Sequence, residues 1–127
     1  MRLLLDTHVL LWLVQGNDEL GPRARTLIAD PTNDVLISVG SLWEIAIKVR
    51  IGKLKADIAK MVRLAEEEGA VILGITLEHL QRLADLPRHH RDPFDHLLIA
   101  QAIVEGASLV TADRGLARYP VRLLTAT

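Results

Sequence analysis

The chain contains no cysteine, which excludes disulfide staples, thiolate zinc sites and cysteine nucleophiles, and leaves oxygen and imidazole as the ligands for any metal. Aromatic residues make up only 3% of its 127 residues, too few for the base-stacking platform that single-strand binders use. No apolar run approaches the roughly 20 residues that a membrane span needs. The N-terminal MRLLLDTHVLLWLV is broken by Asp6 and His8 and carries no small-residue cleavage site, so a cytoplasmic protein without membrane contact is expected. The net charge of −1 makes no overall case for nucleic acid. Eleven of the 15 basic residues are nevertheless Arg, whose planar fork suits phosphate.

Half of the residues are hydrophobic, enough for one well-cored domain over 1–127, and no repeat or linker divides it. RLLL at 2–5, DVLISV at 34–39, AVILGI at 70–75 and SLVT at 108–111 are short apolar runs of the kind found in buried parallel strands, with VRLL at 121–124 as a short fifth. Between them the spacing predicts helices starting near His8, at Pro22, at Ser41, at Asp57, after Thr76 and after Asp92, with Gly69 and Gly106 as stops. The expected class is α/β, with a central, mostly parallel sheet of four or five strands and helices on both faces. Sheets of this class place their sites beyond the carboxyl ends of the strands.

Four acids fall in that kind of place. Asp6 directly follows the first strand, Asp113 follows the fourth, and Glu44 and Asp95 lie in the first turns of helices. Each has a purely structural alternative. Ser41-Leu42-Trp43-Glu44 matches a capping box, and in Asp92-Pro93-Phe94-Asp95 the first Asp is a good N-cap. Asp6 could cap the helix near His8, and Asp113 could close a turn before Gly115. Gathered in one pocket, however, such carboxylates repel: two unit charges 4 Å apart cost about 4 kcal/mol at an effective dielectric near 20. A pocket of several acids therefore needs protons or cations. Oxygen ligands favour Mg²⁺ or Mn²⁺, ions that promote phosphodiester hydrolysis.

LLLDTHVLLW, SVGSLWEIAIKVRIGKL, HHRDPFDHLLIAQA and LVTADRGLARYPV, in this order and over nearly the whole chain, resemble PIN-domain ribonucleases, specifically the VapC-type toxins of bacterial toxin–antitoxin pairs. The resemblance implies a single PIN-like domain with Asp6, Glu44, Asp95 and Asp113 as catalytic metal ligands for Mg²⁺ or Mn²⁺. It further implies RNA as substrate, a small cognate antitoxin as partner, and a homodimer. Thr7 and Thr111 become candidates for orienting carboxylates, and Asp92 for an outer member of the acidic group. His96 and Leu116 stand where this group often has Arg and Phe.

Other residues carry weaker signals. His8 is near enough to Asp6 to line the same pocket, and His89 and His90 precede the Asp95 helix in a polar loop. Trp12, Trp43 and Phe94 sit among apolar residues, as core or subunit contacts would. Arg50, Lys53 and Lys55 cluster around Gly52, either as a solvated face or as a backbone contact for RNA. A phosphoacceptor receiver domain would need a late Lys, but all four Lys lie in the first half, and a haloacid-dehalogenase phosphatase would need Asp-x-Asp where Asp6-Thr7-His8 stands. A DNA-directed nuclease and an inactive, protein-binding PIN-like module remain as alternatives, since carboxylates do not distinguish ribose from deoxyribose.

Overall fold

A computed structural model of the chain describes residues 1–89 and 92–127. In chain order the elements are β1 (Arg2–Leu5), α1 (Thr7–Gln15), α2 (Pro22–Ala29), β2 (Asp34–Ser38), α3 (Val39–Arg50), α4 (Ile58–Glu67), β3 (Ala70–Leu73), α5 (Leu77–Ala84), α6 (Pro93–Glu105), β4 (Ser108–Thr111), a 3₁₀ turn (Arg114–Arg118) and β5 (Leu123–Thr125). The five strands form one sheet in the order β3-β2-β1-β4-β5, and every pairing is parallel. This is the α/β class that the alternating pattern predicts.

The continuous RLLL run makes sense because β1 is central and covered on both sides. Leu3 and Leu5 point to one face and pack with Val9 of α1, Ile28 of α2, Ile45 of α3 and Met61 of α4. Leu4 points to the other face and packs with Leu98, Ile99 and Ala102 of α6 and with Tyr119. All three leucines are fully buried, so truncating any one to Ala should cost about 2–5 kcal/mol. Among the described residues no helix is long and apolar enough to cross a membrane.

Strand order reverses between β1 and β4: the chain steps outward from β1 through β2 to β3, then returns to place β4 and β5 on the opposite side. The carboxyl ends of β1 and β4 therefore flank a crevice, the usual position for a site in an open parallel sheet.

Three local expectations are corrected. Ser41 was expected to cap α3, but Ser38 does so, its Oγ accepting the Gly40 N–H at 2.9 Å, and the helix starts at Val39 instead of the strand ending there. With β2 feeding α3 without a loop, Ser41 lies inside the first turn, buried, and the predicted capping box with Glu44 does not form. Strand β3 stops at Leu73, short of Ile75, because Gly74 and Ile75 lead into the Thr76 cap of α5. Strand β5 begins at Leu123, because the Val121 N–H is spent in a turn on the Tyr119 carbonyl.

Candidate active site

Asp6 leaves β1 with its backbone N–H donated to the Val110 carbonyl of β4 at 3.0 Å, which fixes it over the crevice. It occupies the N-cap position of α1, yet its carboxylate makes no capping bond. Instead Asp6 Oδ2 accepts the Thr111 hydroxyl at 2.6 Å. Thr111 Oγ1 in turn accepts the Asp113 N–H at 3.0 Å, so one hydroxyl at the end of β4 ties together the exits of both central strands. Asp113 Oδ1 takes the Gly115 N–H at 2.8 Å; the turn-closing role is real, and the side chain is exposed at the crevice as well.

Glu44 enters from α3 and is buried, 8% exposed. Thr7 donates to Glu44 Oε1 at 2.9 Å and stands 3.0 Å from the Ser41 hydroxyl, which is left to donate back to Thr7. Lys48, one turn further along α3, donates to Glu44 Oε2 at 2.9 Å. Each Glu44 oxygen thus has a partner. At the start of α6, Asp92 is the N-cap, its Oδ1 accepting from Phe94 N–H at 2.9 Å and Asp95 N–H at 3.4 Å. Asp95 is half-buried at the third helical position.

These side chains meet in a cleft of about 420 Å³ lined by Asp6, His8, Trp12, Glu44, Asp92, Asp95, Ala112 and Asp113. The structure thereby brings together all four predicted acids, the outer Asp92 and His8. Thr7 and Thr111 stand behind the cleft, each holding one of its two most buried carboxylates. Among the described residues no three His, Asp or Glu side chains are drawn into a ready-made metal cluster. An oxygen-only donor set of this kind suits a hard divalent cation, which takes one or two carboxylates and completes its shell with water.

Other candidates lie elsewhere. His89 and His96 line a separate cleft of about 520 Å³ together with Leu83, Pro87 and Arg88. Both engage Tyr119, whose hydroxyl accepts the His89 N–H at 3.1 Å and sits 3.3 Å from His96 Nε2. His90 lies outside the described residues. Trp43 is not core: it is 57% exposed and packs edge-to-face on Phe94 at 5.1 Å. Lys48 was not singled out from the sequence, although its i,i+4 spacing from Glu44 was the signal that could have found it.

The sequence profile of the PIN domain family matches residues 3–122. The chain belongs to the PIN-domain family. Solved structures agree with it in fold. A chain of VapBC2 from Rickettsia felis, solved bound to a DNA fragment from their promoter, superposes with a TM-score of 0.76 at 20% identity, with 100% of each chain covered. DNA-bound VapBC from Salmonella typhimurium gives 0.71 at 17% identity, covering 100% of this chain and 99% of the other, and VapBC-1 from nontypeable Haemophilus influenzae gives 0.66 at 16%, covering 98% of each. No curated protein sequence matches the chain. The expected PIN-domain family therefore holds, and the fold is the one seen in these VapBC chains. Membership in this family, with an acid-lined crevice at the strand-order reversal, supports a nuclease.

Proposed function

We propose that this PIN domain, spanning 1–127, is a Mg²⁺- or Mn²⁺-dependent endoribonuclease of the cytoplasm and the toxin component of a toxin–antitoxin pair. The observation that supports this most is the convergence of Asp6, Glu44, Asp95 and Asp113, from four separate places in the chain, on one cleft. The donor set fits a divalent cation by chemistry: it is all carboxylate, and it lies open enough for water and a phosphate to complete the coordination shell.

Asp6, Glu44, Asp95 and Asp113 would hold the metal. When bound, such an ion acidifies water and neutralises charge at a phosphodiester, the chemistry of hydrolysis. The remaining residues work on the carboxylates themselves. The Thr111 hydroxyl fixes one oxygen of Asp6 and the Thr7 hydroxyl one oxygen of Glu44, whose second oxygen carries Lys48, and Asp92 fixes the first turn that carries Asp95. Arg side chains would position the nucleic acid backbone. Cleavage should leave 5′-phosphate and 3′-hydroxyl ends.

A small antitoxin covering the cleft and a homodimer of the domain complete the proposal. Apolar side chains left exposed on α3 and its C-cap (Trp43, Ile51), on β3 (Val71) and on α5 (Leu77, Leu80) support a surface that other protein covers. The test is incubation of the purified, antitoxin-free protein with structured RNA and matched DNA, in Mg²⁺, Mn²⁺ or EDTA, with end-group analysis. Metal-dependent cutting of RNA alone supports the proposal; cutting of DNA alone would transfer it to a DNA nuclease, and metal binding without cutting to a protein-binding module.

A further inference from the structure

Glu44 has a positively charged partner on its own helix. Lys48 Nζ sits 2.9 Å from Glu44 Oε2, with the Glu44 side chain 10% exposed and that of Lys48 38% exposed. The carboxylate is anchored and the ammonium is at the rim. Lys48 does not line the acidic cleft; it lines an adjoining one of about 460 Å³ that shares Glu44 and Asp92 as a common wall and also holds Ile47, Lys53 and Phe94.

We propose that Lys48 is a resident counter-cation, one that a divalent metal ion must displace from Glu44 Oε2 on entering the cleft. This rests on the metal site proposed above. The ammonium is a compact charge on a flexible four-carbon stem, so it has room to swing into the adjoining cleft when it leaves Glu44. Its hold is weak enough to exchange, since an i,i+4 ion pair along a helix contributes little. With Thr7 on one oxygen and Lys48 on the other, both oxygens of Glu44 are already engaged, so an entering cation must compete for Oε2.

The experiment is calorimetric titration of Mn²⁺ into the folded protein without nucleic acid, comparing wild type with Lys48→Met, Lys48→Arg and Lys53→Met. Lys48→Met should bind Mn²⁺ up to about fivefold more tightly, by removal of the competing cation. Lys48→Arg, which keeps the charge, and Lys53→Met, which removes a neighbouring charge not bonded to Glu44, should stay near wild type. Should Lys48→Met fail to fold, Lys48→Gln carries the same expectation. Equal or weaker binding by the neutral variant, or equal tightening in Lys53→Met, overturns the role of Lys48. Failure of the wild type to bind Mn²⁺ at all would instead remove the metal site itself, and this inference with it.

Discussion

Thr111 donates its hydroxyl proton to Asp6 Oδ2 across 2.6 Å, although 105 positions separate the two residues in the chain. The contact exists because β1 and β4 are adjacent parallel strands, paired Leu5 to Val110, so the residues that follow them emerge side by side. Thr111→Val keeps the shape and removes the hydroxyl. It should lower nuclease activity about 10- to 100-fold, as loss of a group orienting a metal ligand does, while costing only about 1–2 kcal/mol of stability. Thr111→Ser should restore most of the activity. Steady-state rates beside thermal melts of the three proteins check this.

Asp92 and Asp95 should separate cleanly. Asp92 accepts two N–H bonds at the start of α6, so Asp92→Ala should destabilise the fold by about 1 kcal/mol through loss of the cap, with Asp92→Asn close to wild type. Asp95→Asn leaves that cap in place and should melt near wild type. Chemical denaturation of the three variants distinguishes them.

Away from the cleft, acid stability has an identifiable contributor. The fully buried His79 of α5 accepts the Thr76 N–H on Nδ1 at 3.0 Å, so its Nε2 carries the proton donated to Glu105 Oε2 at 2.8 Å. That hydrogen bond, opposed by partial burial and assisted by Arg2, holds the Glu105 carboxyl below the usual carboxylate range. A depressed carboxyl stabilises the fold fully above its ordinary pKa and loses that contribution as pH falls through the folded value. Glu105→Gln should therefore be less stable at neutral pH and lose less stability on acidification. Melting temperatures from pH 7 down to pH 3 should converge for the two proteins; parallel curves would remove Glu105 from the account.

Gly40 sets how closely α3 approaches α6, and so how Glu44 faces Asp95. A Cβ there would meet Leu97 Cδ2 at 2.5 Å and the Ser38 hydroxyl at 3.1 Å. Gly40→Ala should cost about 1–3 kcal/mol by overpacking, and activity should fall further than stability explains, because both acid-bearing helices shift. Leu97→Ala combined with Gly40→Ala should recover part of the loss, measured by melting and by rate.

Much of this was legible in the residues because two periodicities were clear. Continuous apolar runs at Leu3–Leu5 and Leu109–Val110 marked buried parallel strands, and strand exit is a position that sequence order alone assigns to Asp6 and Asp113. Capping was less legible. Ser38 and Ser41 both offer a hydroxyl just ahead of the helical spacing that begins at Leu42, and the cap falls to Ser38, whose Oγ accepts the Gly40 N–H as β2 runs straight into α3. The partners of the carboxylates were half visible. Thr7 and Thr111 stood out beside the acids, whereas Lys48 was masked by the nearby basic cluster of Arg50, Lys53 and Lys55. The exposure of Trp43 was illegible, since an apolar residue on an amphipathic helix looks the same whether it faces the core or a partner.

The most direct test of the central claim pairs wild type with Asp95→Asn in one RNA cleavage assay, in Mg²⁺ and in EDTA, with melting curves run on the same samples. The account predicts cleavage by the wild type in Mg²⁺ only, and near-complete loss in Asp95→Asn at an unchanged melting temperature. Retained cleavage by Asp95→Asn with a lowered melting temperature would contradict it, and would make Asp95 part of the helix start and nothing more.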